Sequence, residues 1–156
     1  MVRVDAQGGA PHVMWVASMS LANRQTTNNQ AEYMGLVTGL RFASRRRFRP
    51  LTIIGDSAMI IAQLKNQKVP KHPRLRHLYG QARVMADVLV VADWRHQLRA
   101  YNTMADHAAN VAMDSRRSVQ LLDPTAHSHW AELQTHLHND VSRWQVSTYQ
   151  GPTSAG

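Results

Sequence analysis

Apolar and polar positions along the chain follow two periods, and each change of period marks an element. Val2-Arg3-Val4 is a short apolar alternation, residues 5–11 are turn-like through Gly8, Gly9 and Pro11, and residues 12–21 carry the β-formers Val13, Trp15 and Val16. Together they predict a hairpin. Thr26-Thr27-Asn28-Asn29 then supplies helix caps, and residues 30–47 form a helix that is apolar nearly all round (Ala31, Met34, Leu36, Val37, Leu40, Phe42, Ala43). A helix of that kind is buried on most sides. Arg45, Arg46 and Arg47 suit its C-terminal dipole, and Pro50 stops it.

Residues 51–55 read as a short buried strand ending at Asp56, and residues 57–66 as a short helix. A basic, proline-marked loop follows at 69–73. Leu75, Leu78, Ala82, Met85 and Leu89 recur at spacings of three and four, the stripe of an amphipathic helix. Residues 88–96 shift to a strand, and 99–102 to a loop. Residues 103–117 predict a helix with a small-residue face (Ala105, Ala108, Ala109, Ala112) suited to close packing on a sheet. Pro124 marks a linker. Residues 127–143 predict a last helix with Trp130, Leu133, Leu137 and Val141 as its apolar stripe, and 148–156 a disordered end. This order implies an α/β fold, a mixed and partly antiparallel sheet with helices packed on its faces.

A chain of 156 residues holds one domain with a sizeable core. With 44% hydrophobic and 18% charged residues it is globular in composition. No run approaches the roughly 18 apolar residues of a membrane span, and the start lacks a secretion signal pattern. The absence of cysteine excludes disulfides and thiolate metal sites and agrees with an intracellular location. Charge is uneven. Residues 1–117 hold 17 of the 18 Lys and Arg but 7 of the 10 acids, a net +10, whereas residues 118–156 are −2. A basic body suits a polyanion such as nucleic acid, because Lys and Arg displace counterions from phosphates. It equally suits a solvated, solubilising surface.

Three acids stand at element ends. Glu32 lies early in the apolar helix, Asp56 directly after the buried strand, and Asp106 in the first turn of the small-residue helix. Taken singly, Glu32 and Asp106 are ordinary acids favoured by a helix dipole. Brought together they would repel one another, and a pair of Mg²⁺ or Mn²⁺ ions would relieve that repulsion. Two such ions about 4 Å apart are the usual machinery for in-line phosphodiester displacement. His127, His129, His136 and His138 admit a metal site at helical spacing, against a solvated helix face as the plainer reading. His96 reads as a strand-end histidine.

Four local strings resemble ribonuclease H. Thr27-Asn28-Asn29-Gln30-Ala31-Glu32-Tyr33 resembles the signature opening that family's central helix. Gly55-Asp56-Ser57 with residues 60–64 resembles its strand-to-helix junction. Pro73-Arg74-Leu75 with Leu78-Tyr79 resembles a helix start of its short archaeal-like and retroelement branches. His96 to Arg99, Asn102, Ala105-Asp106 and Ala109-Asn110 resemble its closing pattern. The blocks occur in family order over residues 12–117. The resemblance implies metal-dependent hydrolysis of the RNA strand of an RNA–DNA hybrid. Glu32, Asp56 and Asp106 would then be metal ligands, with Mg²⁺ or Mn²⁺ in a two-ion site. Thr27, Asn28, Asn29 and Gln30 would bind substrate; the three amides would reach a minor groove that displays the RNA 2′-hydroxyls.

The family also opens with a strand whose Asp bridges both metals, and the match here begins after it. Asp5 is not taken as that residue. The expectation is therefore a ribonuclease H-like domain over 1–117 lacking its opening strand, impaired in cleavage, with a C-terminal extension over 118–156. Other domains of a retroelement polyprotein are possible partners. The alternative is a non-catalytic nucleic-acid-binding or assembly module that keeps the fold.

Overall fold

The structure, a computed structural model, describes residues 1–4, 10–18, 25–122 and 130–148. Its elements in order are β1 (Val2–Arg3), β2 (His12–Val13), β3 (Trp15–Ser18), α1 (Asn28–Arg46), β4 (Leu51–Gly55), α2 (Ala58–Lys65), α3 (Pro73–Leu89), β5 (Val91–His96), a 3₁₀ turn (Arg99–Tyr101), α4 (Thr103–Ser115), β6 (Val119–Leu122) and α5 (Trp130–Thr148). The chain divides into two compact units, one of Leu21–Leu98 and one of Met1–Ser20 with Arg99–Gly156. Among the described residues no helix is long and apolar enough to cross a membrane.

In the unit of Leu21–Leu98, β4 and β5 run parallel, from Leu51 beside Val91 to Gly55 beside His96. Gln97 N–H donates to Gly55 O at 2.9 Å and carries the ladder to the strand ends. Helix α1 packs on α3, and α2 lies against β4 and β5. Helix α1 starts at a capping box: Thr27 Oγ1 accepts from Gln30 N–H, and Gln30 Oε1 accepts from Thr27 N–H. Its fully buried residues, Gln30, Tyr33, Val37, Leu40 and Ala43, form a single stripe, while Leu36, Met34 and Phe42 are only half buried. Between Gln30 and Ser44 only Gly35 and Arg41 are exposed, so the helix is fully covered along one stripe and half covered over most of the rest. Tyr33 Oη reaches Gln63 Oε1 of α2 at 2.5 Å, and Arg83 Nη1 of α3 reaches Leu64 O at 2.9 Å, so three helices are tied by side-chain bonds.

In the other unit, β1 pairs antiparallel with β2, Val2 beside Val13, as the hairpin pattern implied. β3 pairs instead with β6, Trp15 beside Leu122 through Ser18 beside Val119. The segment read as a linker before Pro124 therefore contains a strand. The strand is four residues long and broken by Gln120, and its partner lies about a hundred residues upstream, so no local pattern shows the pairing. The core of this unit is Val13, Ala108, Leu133, Leu137 and Val141, with Val2, Val16, Met104 and Trp144 against it. The small-residue face of α4 is corrected: Ala108 is buried, but Ala105 and Ala109 are exposed. The described strands pair in both senses, as a mixed fold requires, in three two-stranded ladders. Most of the expected turn at 5–11, the histidines His127 and His129, and residues 149–156 lie outside the described residues.

Candidate active site

Glu32 and Asp56 belong to the same unit. Glu32 is half buried, one turn into α1, in a frame set by the capping box below it. Asp56 is half buried immediately beyond β4, where Ser57 caps α2 by accepting from Ile60 N–H at 3.5 Å. The strand end therefore turns directly into a helix, and Asp56 sits at the carboxyl edge of a parallel pair, one residue beyond Gly55, whose partner is the exposed His96 of β5. That edge is where open parallel sheets bind ligands. Asn28 and Asn29 are exposed on the first turn of α1, and Thr27 before it is exposed as well. Gln30 is buried, and its side-chain oxygen is held by the Thr27 amide.

Gln30 also lines a shallow groove of about 470 Å³ between α1 and α3, with Thr26 and Met34 on one wall and Pro73, Arg74, His77 and Leu78 on the other. A second groove, about 590 Å³, continues with Arg41 of α1 and Arg76, His77 and Gln81 of α3. Arg41, Arg74 and Arg76 are exposed, so the amide-bearing end of α1 opens onto a cationic surface. Arg76 is anchored through Nε to Pro70 O at 3.4 Å and Nη2 to Lys71 O at 3.2 Å, which fixes the basic loop on α3.

Asp106 belongs to the other unit, in the first turn of α4. Its Oδ1 lies 3.6 Å from Arg99 Nε, and its Oδ2 accepts from Asn110 Nδ2 at 3.4 Å. The three carboxylates have the hard-oxygen chemistry that Mg²⁺ or Mn²⁺ takes. Among the described residues, however, no three His, Asp or Glu side chains gather closely enough to hold a metal ion. Of the tail histidines, His136 is half buried with its ring 5.1 Å from that of His107, and His138 is exposed.

Sequence reading missed Asp140. It is buried in α5 and bonded to the start of α4. Its signal was a lone acid set on the apolar stripe of Leu133, Leu137 and Val141.

Residues 3–112 match the family described as reverse transcriptase-like. Over 94 residues the chain is 37% identical to the ribonuclease HI of Halobacterium salinarum, covering 58% of this chain and 45% of that protein. The chain belongs to the ribonuclease H family. It is also 36% identical, over 106 residues, to the bifunctional protein Rv2228c of Mycobacterium tuberculosis, covering 68% of this chain and 29% of that one. The chain thus spans under half the length of these relatives. Among solved structures it resembles the N-terminal RNase H domain of Rv2228c, with a TM-score of 0.54 and 38% identity over 58% of this chain and 65% of that one. It resembles the RNase H1 of Halobacterium salinarum equally, with a TM-score of 0.54 and 31% identity over 73% and 83%. Family and fold are the ones the four sequence blocks pointed to.

Proposed function

We propose that this chain binds RNA–DNA hybrids and hydrolyses their RNA strand with Mg²⁺ or Mn²⁺, inside the cell. Glu32, Asp56 and Asp106 are the acidic residues of the reaction, and Thr27, Asn28, Asn29 and Gln30 the residues that meet the substrate. The observation that carries the reading is the placement of Asp56 at the carboxyl edge of the parallel pair β4–β5, in a chain of this family. Support for a nucleic-acid substrate comes from the exposed cations Arg41, Arg74 and Arg76 along α1 and α3. Phosphate contacts from such a surface hold a duplex in register, while amides and backbone N–H groups at the start of α1 suit its minor groove.

The test is a labelled hybrid incubated with the chain in Mg²⁺, in Mn²⁺ and in chelator, across salt. The expected result is impaired RNA-strand cleavage that needs added metal, reduced further in Asp56→Asn by about a hundredfold, since a ligand charge goes while shape is kept. Binding falls steeply as salt rises. Salt-sensitive binding with no cleavage in either metal would replace the nuclease with a binding module. Negligible binding at low salt would refute both.

A further inference from the structure

Helix α5 begins beyond residue 112, where the family match ends, yet it holds Asp140, the one charged side chain that is buried among the described residues, at 1% exposure. A buried carboxylate is costly unless donors surround it. Here Oδ1 accepts from Thr103 N–H at 3.0 Å and Thr103 Oγ1 at 2.8 Å, and Oδ2 accepts from Met104 N–H at 2.9 Å. Those two amides open α4, and the first N–H groups of a helix have no acceptor inside it. Asn102, in the capping position, makes no side-chain cap bond. The cap is supplied in trans, by an anion that the positive end of the helix dipole favours.

The rest of α5 grips the same turn. Trp144 Nε1 donates to Tyr101 O at 3.0 Å, and the Arg143 guanidinium lies 5.4 Å over the Tyr101 ring. Leu133, Leu137 and Val141 pack with Ala108 of α4. Asp106 stands two residues after Met104 in the turn so fixed, and its own backbone N–H donates to Asn102 O at 3.2 Å.

We propose that Asp140 is a positioning residue: by capping α4 from α5 it fixes the first turn of α4 and with it the carboxylate of Asp106. Helix α5 is then a working part of the nuclease and not an appendage. The inference rests on the reading of Asp106 as a site residue, so its test includes a readout that needs no cleavage.

The full chain is compared with Asp140→Ala and Asp140→Asn. In Asp140→Ala, amide exchange at Thr103 and Met104 quickens about tenfold, as loss of a cap implies, while α1 and α3 are unaffected. The side-chain carboxyl carbon resonance of Asp106 shifts in the same variant. Hybrid cleavage loses about tenfold or more in kcat with KM little changed, and Asp140→Asn, which keeps the shape and an acceptor, recovers much of it. Unchanged exchange at Thr103 and Met104, or an unmoved Asp106 carboxyl resonance, overturns the proposal. So does an unchanged kcat in an active chain. A wild-type chain that cleaves nothing defeats the nuclease reading alone, because exchange and the carbon resonance still judge the cap. If Asp140→Ala does not fold, Asp140→Asn decides: its amide keeps one acceptor where the carboxylate has two, so exchange quickens at Thr103 or at Met104, and unchanged exchange at both overturns the proposal.

Discussion

Tyr33 is wholly buried, and its hydroxyl donates to Gln63 Oε1 at 2.5 Å. Burial first, and then the neighbouring Tyr79, push its pKa up to about 12. In an unfolded chain a tyrosine titrates near 10. Between pH 10 and 12 the unfolded chain gives up this proton and the folded chain keeps it, so stability falls as pH rises through that window. Below pH 10 both states are protonated and the group has no pH effect. The drop is of order 1–3 kcal/mol over the window. Urea midpoints measured from pH 9 to 12 should fall less in Tyr33→Phe than in the parent; equally steep curves would show that other groups govern alkaline unfolding. The sequence marked Tyr33 only as part of a motif. Its place in the core follows from position 33 falling on one stripe with Gln30, Val37 and Leu40, which the scatter of smaller apolar residues around it hid.

At the scale of elements, α1 was legible because its signals agree: a Thr-x-x-Gln capping box, a long apolar period, and arginines at its end. The junction of α3 and β5 was not. Val88, Val90 and Val91 look like the start of a strand, but the helix runs to Leu89, whose side chain is buried, and the Arg83–Asp87 pair supports its last turns. Val88 is left exposed on the helix, and Val90 closes it in the left-handed region at φ 52°. A β-branched side chain is strained there, by roughly 1–2 kcal/mol. Val90 is 60% exposed, so little packing opposes its removal. Val90→Gly keeps the cap bonds from its N–H to Ala86 O and Asp87 O and relieves the strain, at some cost in unfolded-state entropy. The expected gain is about 1 kcal/mol, a rise in Tm of roughly 2–4 °C by calorimetry. A lower Tm would mean that the valine makes contacts worth more than its strain.

At the scale of the whole molecule, the family pattern and the folded unit end at different places. The recognisable blocks close near residue 110, and they bring Glu32, Asp56 and Asp106 to notice through motif spacing. Nothing in those blocks calls for a strand or a helix beyond residue 117. Yet β6 is the ladder partner of β3, and Leu133, Leu137 and Val141 cover Val13 and Ala108. These pairings join the first twenty residues to the last forty, and periodicity within a short window carries no trace of them. A chain ending at Arg117 would leave β3 without its partner, three buried aliphatic side chains missing from the core, and the opening amides of α4 without Asp140. Three such side chains contribute about 1.5–3 kcal/mol each, a sum comparable with the whole stability of a small domain. The shortened chain should therefore lose amide-exchange protection in β3 and α4, while α1 and α3, with their own buried stripe, keep theirs. Retained protection throughout α4 would show that the core of this unit closes without α5, and that the cap from Asp140 is dispensable to the fold.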